Sequence, residues 1–192
     1  MAIIYDKFSI DIWEVIDAAK TKPYGFQSFY PGPGVGGHCI PVDPLYLMWK
    51  VREYDYHSKL IGIADEINSS MPSFIVNKTW KILNKTNKPL KGAKLLIIGV
   101  AYKQDIDDIR ESPALKVLEG LEKEGAIVEY YDPYVPHLKW KGKIYDSKNL
   151  TKDKIREKDI VIITTAHTNV DYNLIVDNAR LVFDTKNATK NI

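Results

Sequence analysis

The sequence has a single cysteine, Cys39, in 192 residues, which excludes an internal disulfide framework and any multi-cysteine zinc site. That scarcity fits a reducing compartment, so a cytoplasmic protein with no bound metal is expected. No apolar run approaches the roughly 20 residues that span a bilayer. The apolar start is interrupted by Asp6 and Lys7, so neither a secretory leader nor a membrane partner is expected. An excess of one charge is also missing. Lysine and arginine number 27 against 25 acidic residues, a net +2 that is too small and too dispersed to make nucleic acid the main partner. The sequence further lacks a Gly-x-Gly-x-x-Gly after any strand-like run and a Walker loop ending in Lys-Ser or Lys-Thr, which argues against a dinucleotide fingerprint and a P-loop.

What is present supports a folded chain: 45% of the residues are hydrophobic, enough for a substantial core. The texture changes near Leu90. Before it, Ile10, Trp13 and Ile16 recur at helical spacing after Ser9, a candidate N-cap, and Leu45 to Asn68 reads as one long amphipathic stretch. Met71-Pro72 is expected to end that stretch and open another helix from about Ser73 to Thr86. After Leu90 the pattern becomes strand, helix, strand. Lys94 to Gly99 and Ile127 to Tyr131 are apolar runs flanking an amphipathic segment from Pro113 to Glu124. Asp159 to Thr164 and Arg180 to Phe183 are further strand candidates, with short helices between Thr151 and Lys158 and around Tyr172 to Asn178. Continuous apolar strands alternating with helices indicate an α/β fold with a parallel sheet covered on both faces. With the polar turn Asn84 to Pro89 as the boundary, the expected organisation is a helical unit over 1–88 followed by a Rossmann-like domain over 89–192.

The densest chemistry lies between Phe29 and Pro44, where four glycines and four prolines in sixteen residues impose an irregular backbone able to approach a ligand closely. A lone cysteine is ordinarily a small buried hydrophobe. Cys39, however, closes a glycine-rich loop just before an expected helix, where backbone amides and the positive end of the macrodipole favour a thiolate and an oxyanion. Asp43 can orient a water or accept a proton; equally, it can N-cap a helix opening at Pro44. His38 is adjacent to Cys39 in an extended loop and so points elsewhere, which suits packing or hydrogen bonding better than a Cys-His dyad.

The segment Phe29 to Leu47 resembles the active-site segment of the UDP-glucose/GDP-mannose dehydrogenase family, and Gly99 to Pro113 (GVAYKQDIDDIRESP) resembles its second signature. The resemblance extends from Met1-Ala2-Ile3-Ile4-Tyr5-Asp6-Lys7, similar to the tail of the family's long central helix, to Phe183-Asp184-Thr185-Lys186-Asn187. Lys22 to Phe26 and Gly37 to Pro41 are most similar to members that oxidise UDP-N-acetylhexosamines.

That resemblance implies an NAD-dependent oxidation of a UDP-sugar C6 alcohol to the carboxylate. Cys39 is then the nucleophile that captures the aldehyde as a thiohemiacetal and carries the thioester, with Asp43 assisting hydrolysis. It also implies contacts to the sugar nucleotide from Phe29, Tyr30, Gly32, Gly34, Val35, Gly36, Tyr102, Lys103 and Lys186, and a reach by Arg110 toward NAD. NAD itself would be held mainly by a domain outside this sequence, so the isolated chain is expected to be inactive. Lys186 stands where relatives carry arginine and can supply a charge but no planar fork. The resemblance implies a homodimer through the N-terminal helices, where Ile3, Ile4, Phe8, Ile12, Trp13 and Ile16 form an apolar stripe.

The residues also allow blander readings. Asp105, Asp107 and Asp108 can form a solvated acidic loop ion-paired with Lys103 and Arg110. The connection from Gly99 to Ser112 is nonetheless about twice the usual strand-to-helix length of roughly 2 to 6 residues, and long loops at the carboxyl ends of parallel strands are where ligands sit. A non-catalytic nucleotide-sugar-binding module and a thiol-dependent acyl hydrolase are the alternatives.

Overall fold

A computed structural model describes all residues, 1–192. The chain forms two compact units, Met1–Gly32 and Pro33–Ile192. The first contains α1 (Ala2–Phe8) and α2 (Ile12–Ala19). Ser9 does not cap α2 as expected; it ends α1 in the left-handed region at φ 56°, and Asp11 caps α2 by accepting the Trp13 amide at 2.8 Å. Both residue types suit caps, and Asp11 stands nearer the first helical turn. Within this unit the Tyr30 ring stacks on Trp13, with centroids 5.4 Å apart and planes at 15°. Lys20 bonds Asp17 and lies 3.4 Å from the Tyr30 hydroxyl.

The second unit opens with α3 (Cys39–Lys50), a 3-10 turn (Val51–Tyr54) and α4 (Lys59–Asn84). The long stretch expected from Leu45 to Asn68 is therefore broken, because Asp55 turns the chain at φ 55°. The expected stop at Met71-Pro72 is absent: α4 runs through both residues for 26 residues. The reason is packing. Met71, Pro72, Ile75, Thr79 and Leu83 are buried along one face. A mid-helix proline costs about 3 kcal/mol, whereas each large apolar side chain buried returns about 1.5–3 kcal/mol, so the buried face outweighs the lost bond. The polar turn Asn84 to Pro89 joins α4 to the first strand within this unit.

Four parallel strands follow, β1 (Lys94–Ile98), β2 (Ile127–Tyr131), β5 (Ile160–Ile163) and β6 (Val182–Asp184), in the spatial order β2-β1-β5-β6. Alternate residues face opposite layers, as strand geometry requires. Leu95, Ile97, Ile160 and Ile162 join α4 and α5 (Pro113–Lys123) in one core. Leu96, Ile98, Val161 and Ile163 join α6 (Lys152–Arg156) and α7 (Tyr172–Asn178) in the other. The α/β sheet covered on both faces is thus present.

An antiparallel hairpin, β3 (His137–Trp140) and β4 (Lys143–Asp146), was not among the expected elements. Its two turn residues, Lys141 and Gly142, have φ 46° and 80°, the signs of a type I′ turn, which is usually signalled by Asn-Gly or Asp-Gly. No helix is long and apolar enough to cross a membrane.

Candidate functional site

The chain runs from β1 through α5 to β2 on one side of β1, then returns to place β5 on the other. The carboxyl ends of β1 and β5 therefore flank a topological switch point, the usual ligand crevice of open α/β sheets. Gly99 stands there at φ 81°, and a Cβ on it would lie 2.5 Å from the Thr165 carbonyl oxygen. Only glycine allows this backbone crossing. From it the loop Gly99–Ser112 leaves the sheet edge, carrying Tyr102 and the exposed Lys103 and Arg110. Lys186 follows β6 at the same edge; it is partly buried, and its amide bonds Asp184 at 2.8 Å. Burial pushes the Lys186 ammonium below its ordinary value, against an opposing pull from Asp184.

The glycine loop meets this loop directly. The Gly37 amide donates to the Arg110 carbonyl at 2.9 Å. A Cβ on Gly37 would sit 2.8 Å from the Tyr102 ring, and one on Gly36 would sit 2.6 Å from the Tyr102 Cβ. The absence of side chains at Gly36 and Gly37 is therefore what lets Tyr102 lie against the loop. Gly34 faces Pro113 and the Asn68 carbonyl, at 3.0 and 3.2 Å from its would-be Cβ. Pro72 leaves that carbonyl without its helical donor. Val35 is half-buried beside them.

Two residues after Gly37, Cys39 is exposed as the first residue of α3, with His38 at the N-cap position making no side-chain capping bond. The reading of Asp43 as the cap of a helix opening at Pro44 is corrected: Asp43 is exposed inside α3, and Pro44 is also inside that helix, half-buried. Pro41 falls in the first turn, where no amide partner is needed. Pro44 costs only one bond near a helix end. Cys39 thereby gains the helix-start position, five residues before Pro44.

Arg110 is clasped by Asp108, with Nη2 and Nε at 2.6 and 2.9 Å from Oδ2. These bonds hold the guanidinium above its ordinary value, with smaller contributions from Tyr102 and Cys39. Asp108 is held below the carboxylate range by the same pairing. The ion-paired reading of the loop thus holds for Asp108 and Arg110; Asp107 is exposed. Phe29, Tyr30 and Gly32 belong to the Met1–Gly32 unit, where Phe29 and Tyr30 are exposed.

A separate cleft of about 480 Å³ lies between α3, α4 and the start of α5, lined by Val35, Ile40, Leu45, Leu60, Pro72 and Pro113 among others. Cys39, Tyr102 and Lys103 do not line it, so the reactive groups lie outside this cleft.

Sequence reasoning passed over a buried polar cluster at the sheet edge. Asp132, immediately after β2, accepts the Val100 and Ala101 amides at 2.7 and 3.1 Å and bonds His167, after β5, at 3.1 Å. Burial raises the Asp132 carboxyl, but the His167 bond and the amides outweigh it and hold the group below its ordinary value. The available signal was position: both residues follow strand carboxyl ends. The cluster also answers whether this sheet fits a dinucleotide. The amides after β1 that would receive a pyrophosphate are already bonded to a carboxylate, so the first turn does not fit NAD.

An open parallel sheet with helices on both faces and a long loop at its switch point places the chain among the doubly wound α/β proteins. Residues 1–70 match the central domain of the UDP-glucose/GDP-mannose dehydrogenase family, and residues 96–191 match that family's UDP binding domain. The chain belongs to this family. It is 38% identical to a UDP-N-acetyl-D-mannosamine dehydrogenase of Methanocaldococcus jannaschii, across 97% of this chain and 42% of that protein. The UDP-D-ManNAc dehydrogenase structure from Pyrococcus horikoshii superposes with a TM-score of 0.83 at 31% identity, covering 100% of this chain and 44% of that one. The Cap5O UDP-N-acetyl-mannosamine dehydrogenase of Staphylococcus aureus gives 0.75 at 34% identity, over 96% and 42%. The chain thus spans less than half the length of these relatives.

Proposed function

We propose that this chain is the cysteine-bearing and nucleotide-sugar-binding part of a cytoplasmic NAD-dependent UDP-sugar 6-dehydrogenase acting on a UDP-N-acetylhexosamine, with residues 1–88 as the central unit and 89–192 as the UDP-sugar domain. One observation carries the reading: the bond from Gly37 to Arg110 and the packing of Tyr102 on Gly36 and Gly37 join the Cys39 loop to the loop at the sheet's switch point.

In this proposal Lys103 and Lys186 meet the diphosphate, while Tyr102 and the backbone of Gly34, Val35 and Gly36 contact the sugar and nucleoside. Arg110, whose guanidinium Asp108 clasps, would contact NAD. The thiolate of Cys39 adds to the C6 aldehyde to give a thiohemiacetal, and after oxidation the thioester is hydrolysed by water activated by Asp43. The positive end of α3 favours the developing oxyanion. NAD supplies the hydride acceptor when bound. The M. jannaschii and P. horikoshii names support the N-acetylmannosamine form of the sugar.

Calorimetry and thiol alkylation test this together. The pure chain binds UDP or the UDP-sugar at millimolar concentration or better, UDP-sugar slows alkylation of Cys39, and no NADH is formed. Absence of both heat and thiol protection at millimolar ligand refutes the reading; NADH production by the pure chain refutes the placement of the cofactor.

A further inference from the structure

The loop Gly99–Ser112 would be a poor ligand platform if it moved freely, and the polar ties at its middle run through two residues with no assigned role. The Asp105 amide donates to Nδ1 of His167 at 2.9 Å. That nitrogen is therefore unprotonated, and the ring hydrogen lies on Nε2, which donates to Asp132 at 3.1 Å. His167 is fully buried, a rigid strut between the carboxylate that gathers the β1 turn and the backbone at the middle of the loop. The Asp105 carboxylate reaches back and accepts the Thr168 amide at 2.8 Å and its hydroxyl at 3.1 Å. Strand-end segments on either side of the switch point are thereby latched twice, once in each direction.

Asp105 adopts φ 62°, a left-handed conformation that aspartate, asparagine and glycine tolerate best. Beyond the latch, the Tyr102 amide bonds the Asp108 carbonyl at 3.0 Å, and Arg110 receives Gly37 at 2.9 Å. Ile106 and Ile109 add apolar contacts to the core. We propose that His167 and Asp105 are positioning residues: through this double latch they fix Tyr102 and Lys103 in place and, through Arg110 and Gly37, fix the loop that presents Cys39. The inference rests on the substrate reading above, because a fixed loop matters for binding only if Tyr102 and Lys103 meet the nucleotide sugar.

The test uses the whole chain and two substitutions that spare the buried core. Asp105→Gly keeps the backbone conformation and removes the carboxylate, whereas Asp105→Asn keeps both the conformation and one acceptor oxygen. Amide hydrogen exchange reads the latch without ligand. In Asp105→Gly the Tyr102 and Gly37 amides exchange about tenfold faster or more, as expected for loss of hydrogen bonds to a charged group, while Val100 and Ala101, bonded to Asp132, keep wild-type protection. The UDP dissociation constant rises about tenfold in the same variant and returns to within about threefold of wild type in Asp105→Asn. Unchanged exchange at Tyr102 and Gly37, equal loss of protection at all four amides, or faster exchange with an unchanged dissociation constant would each overturn the proposal. If the wild-type chain binds no UDP, the substrate reading fails first, and the positioning role falls with it whatever exchange shows.

Discussion

Replacing Gly36 with alanine tests whether the two loops truly share one packed interface. The added Cβ would lie 2.6 Å from the Tyr102 Cβ, 2.9 Å from the Glu111 carbonyl oxygen and 3.0 Å from the Pro113 Cδ. Optimal contacts between carbons lie at roughly 3.5–4.0 Å, so the loop must move by up to about 1 Å. None of the three obstructing atoms is the far end of a flexible side chain, so relief cannot come from a rotamer change. Overpacking of this kind costs about 1–3 kcal/mol. At about 2–4 °C per kcal/mol for a chain of this size, the melting temperature should fall by about 2–12 °C. Gly62→Ala is the matched control. It lies inside α4, where its Cβ would meet only the Met48 sulfur at 3.5 Å, an ordinary contact. Helix propensity then favours alanine by up to about 1 kcal/mol, and the melting temperature should rise. Thermal unfolding followed by circular dichroism reads both. A Gly36→Ala chain that melts at or above wild type would show that the Tyr102 contact is not a packed one and would remove the structural basis for joining the loops.

Two further outcomes follow from the same geometry. Lys186 is held below its ordinary value by burial, so the folded state binds fewer protons than the unfolded one, and stability should rise with pH between its folded value and 10.5, the lysine reference. Lys186→Met should flatten that rise and raise the melting temperature at neutral pH while weakening UDP binding about tenfold; a variant that is less stable and binds equally well would contradict both halves. On the first unit, Ile4 and Phe8 are 49% and 66% exposed, more apolar surface than a pair of short helices normally leaves to water. A homodimer through this stripe should appear in sedimentation equilibrium and weaken in Trp13→Asp; a single 21.9 kDa species at every concentration would refute it.

The sheet was legible because each buried strand is a short continuous apolar run and each covering helix has its own period, so Leu95 to Ile98 and Ile160 to Ile163 could be read without knowing their neighbours. The helices near the cysteine were harder because tertiary packing overrode local signals. Pro72 reads as a stop, yet it lies buried within α4 because Ile75 and Leu83 continue the same face into the core. Pro44 reads as a start, yet α3 already holds Cys39 in its first turn. The hairpin at Lys141-Gly142 was illegible for a different reason: a lysine occupies a position where asparagine or aspartate usually gives the turn away.

The loops with chemistry were visible through what they cannot carry, side chains at Gly34, Gly36 and Gly37, whereas the groups that hold those loops were invisible because each looks ordinary alone. Asp132 reads as a turn residue before Pro133, His167 as one of four histidines in the chain, and Asp105 as one acid among several. Their meaning arises only when the parallel crossover brings the ends of β1, β2 and β5 together. The same convergence explains why the turn after β1 does not fit a dinucleotide's pyrophosphate. A phosphate-binding turn and a carboxylate-filled turn need the same backbone amides, and Asp132 commits those of Val100 and Ala101 to the protein itself. The β1 turn is tied to the end of β2 for that reason.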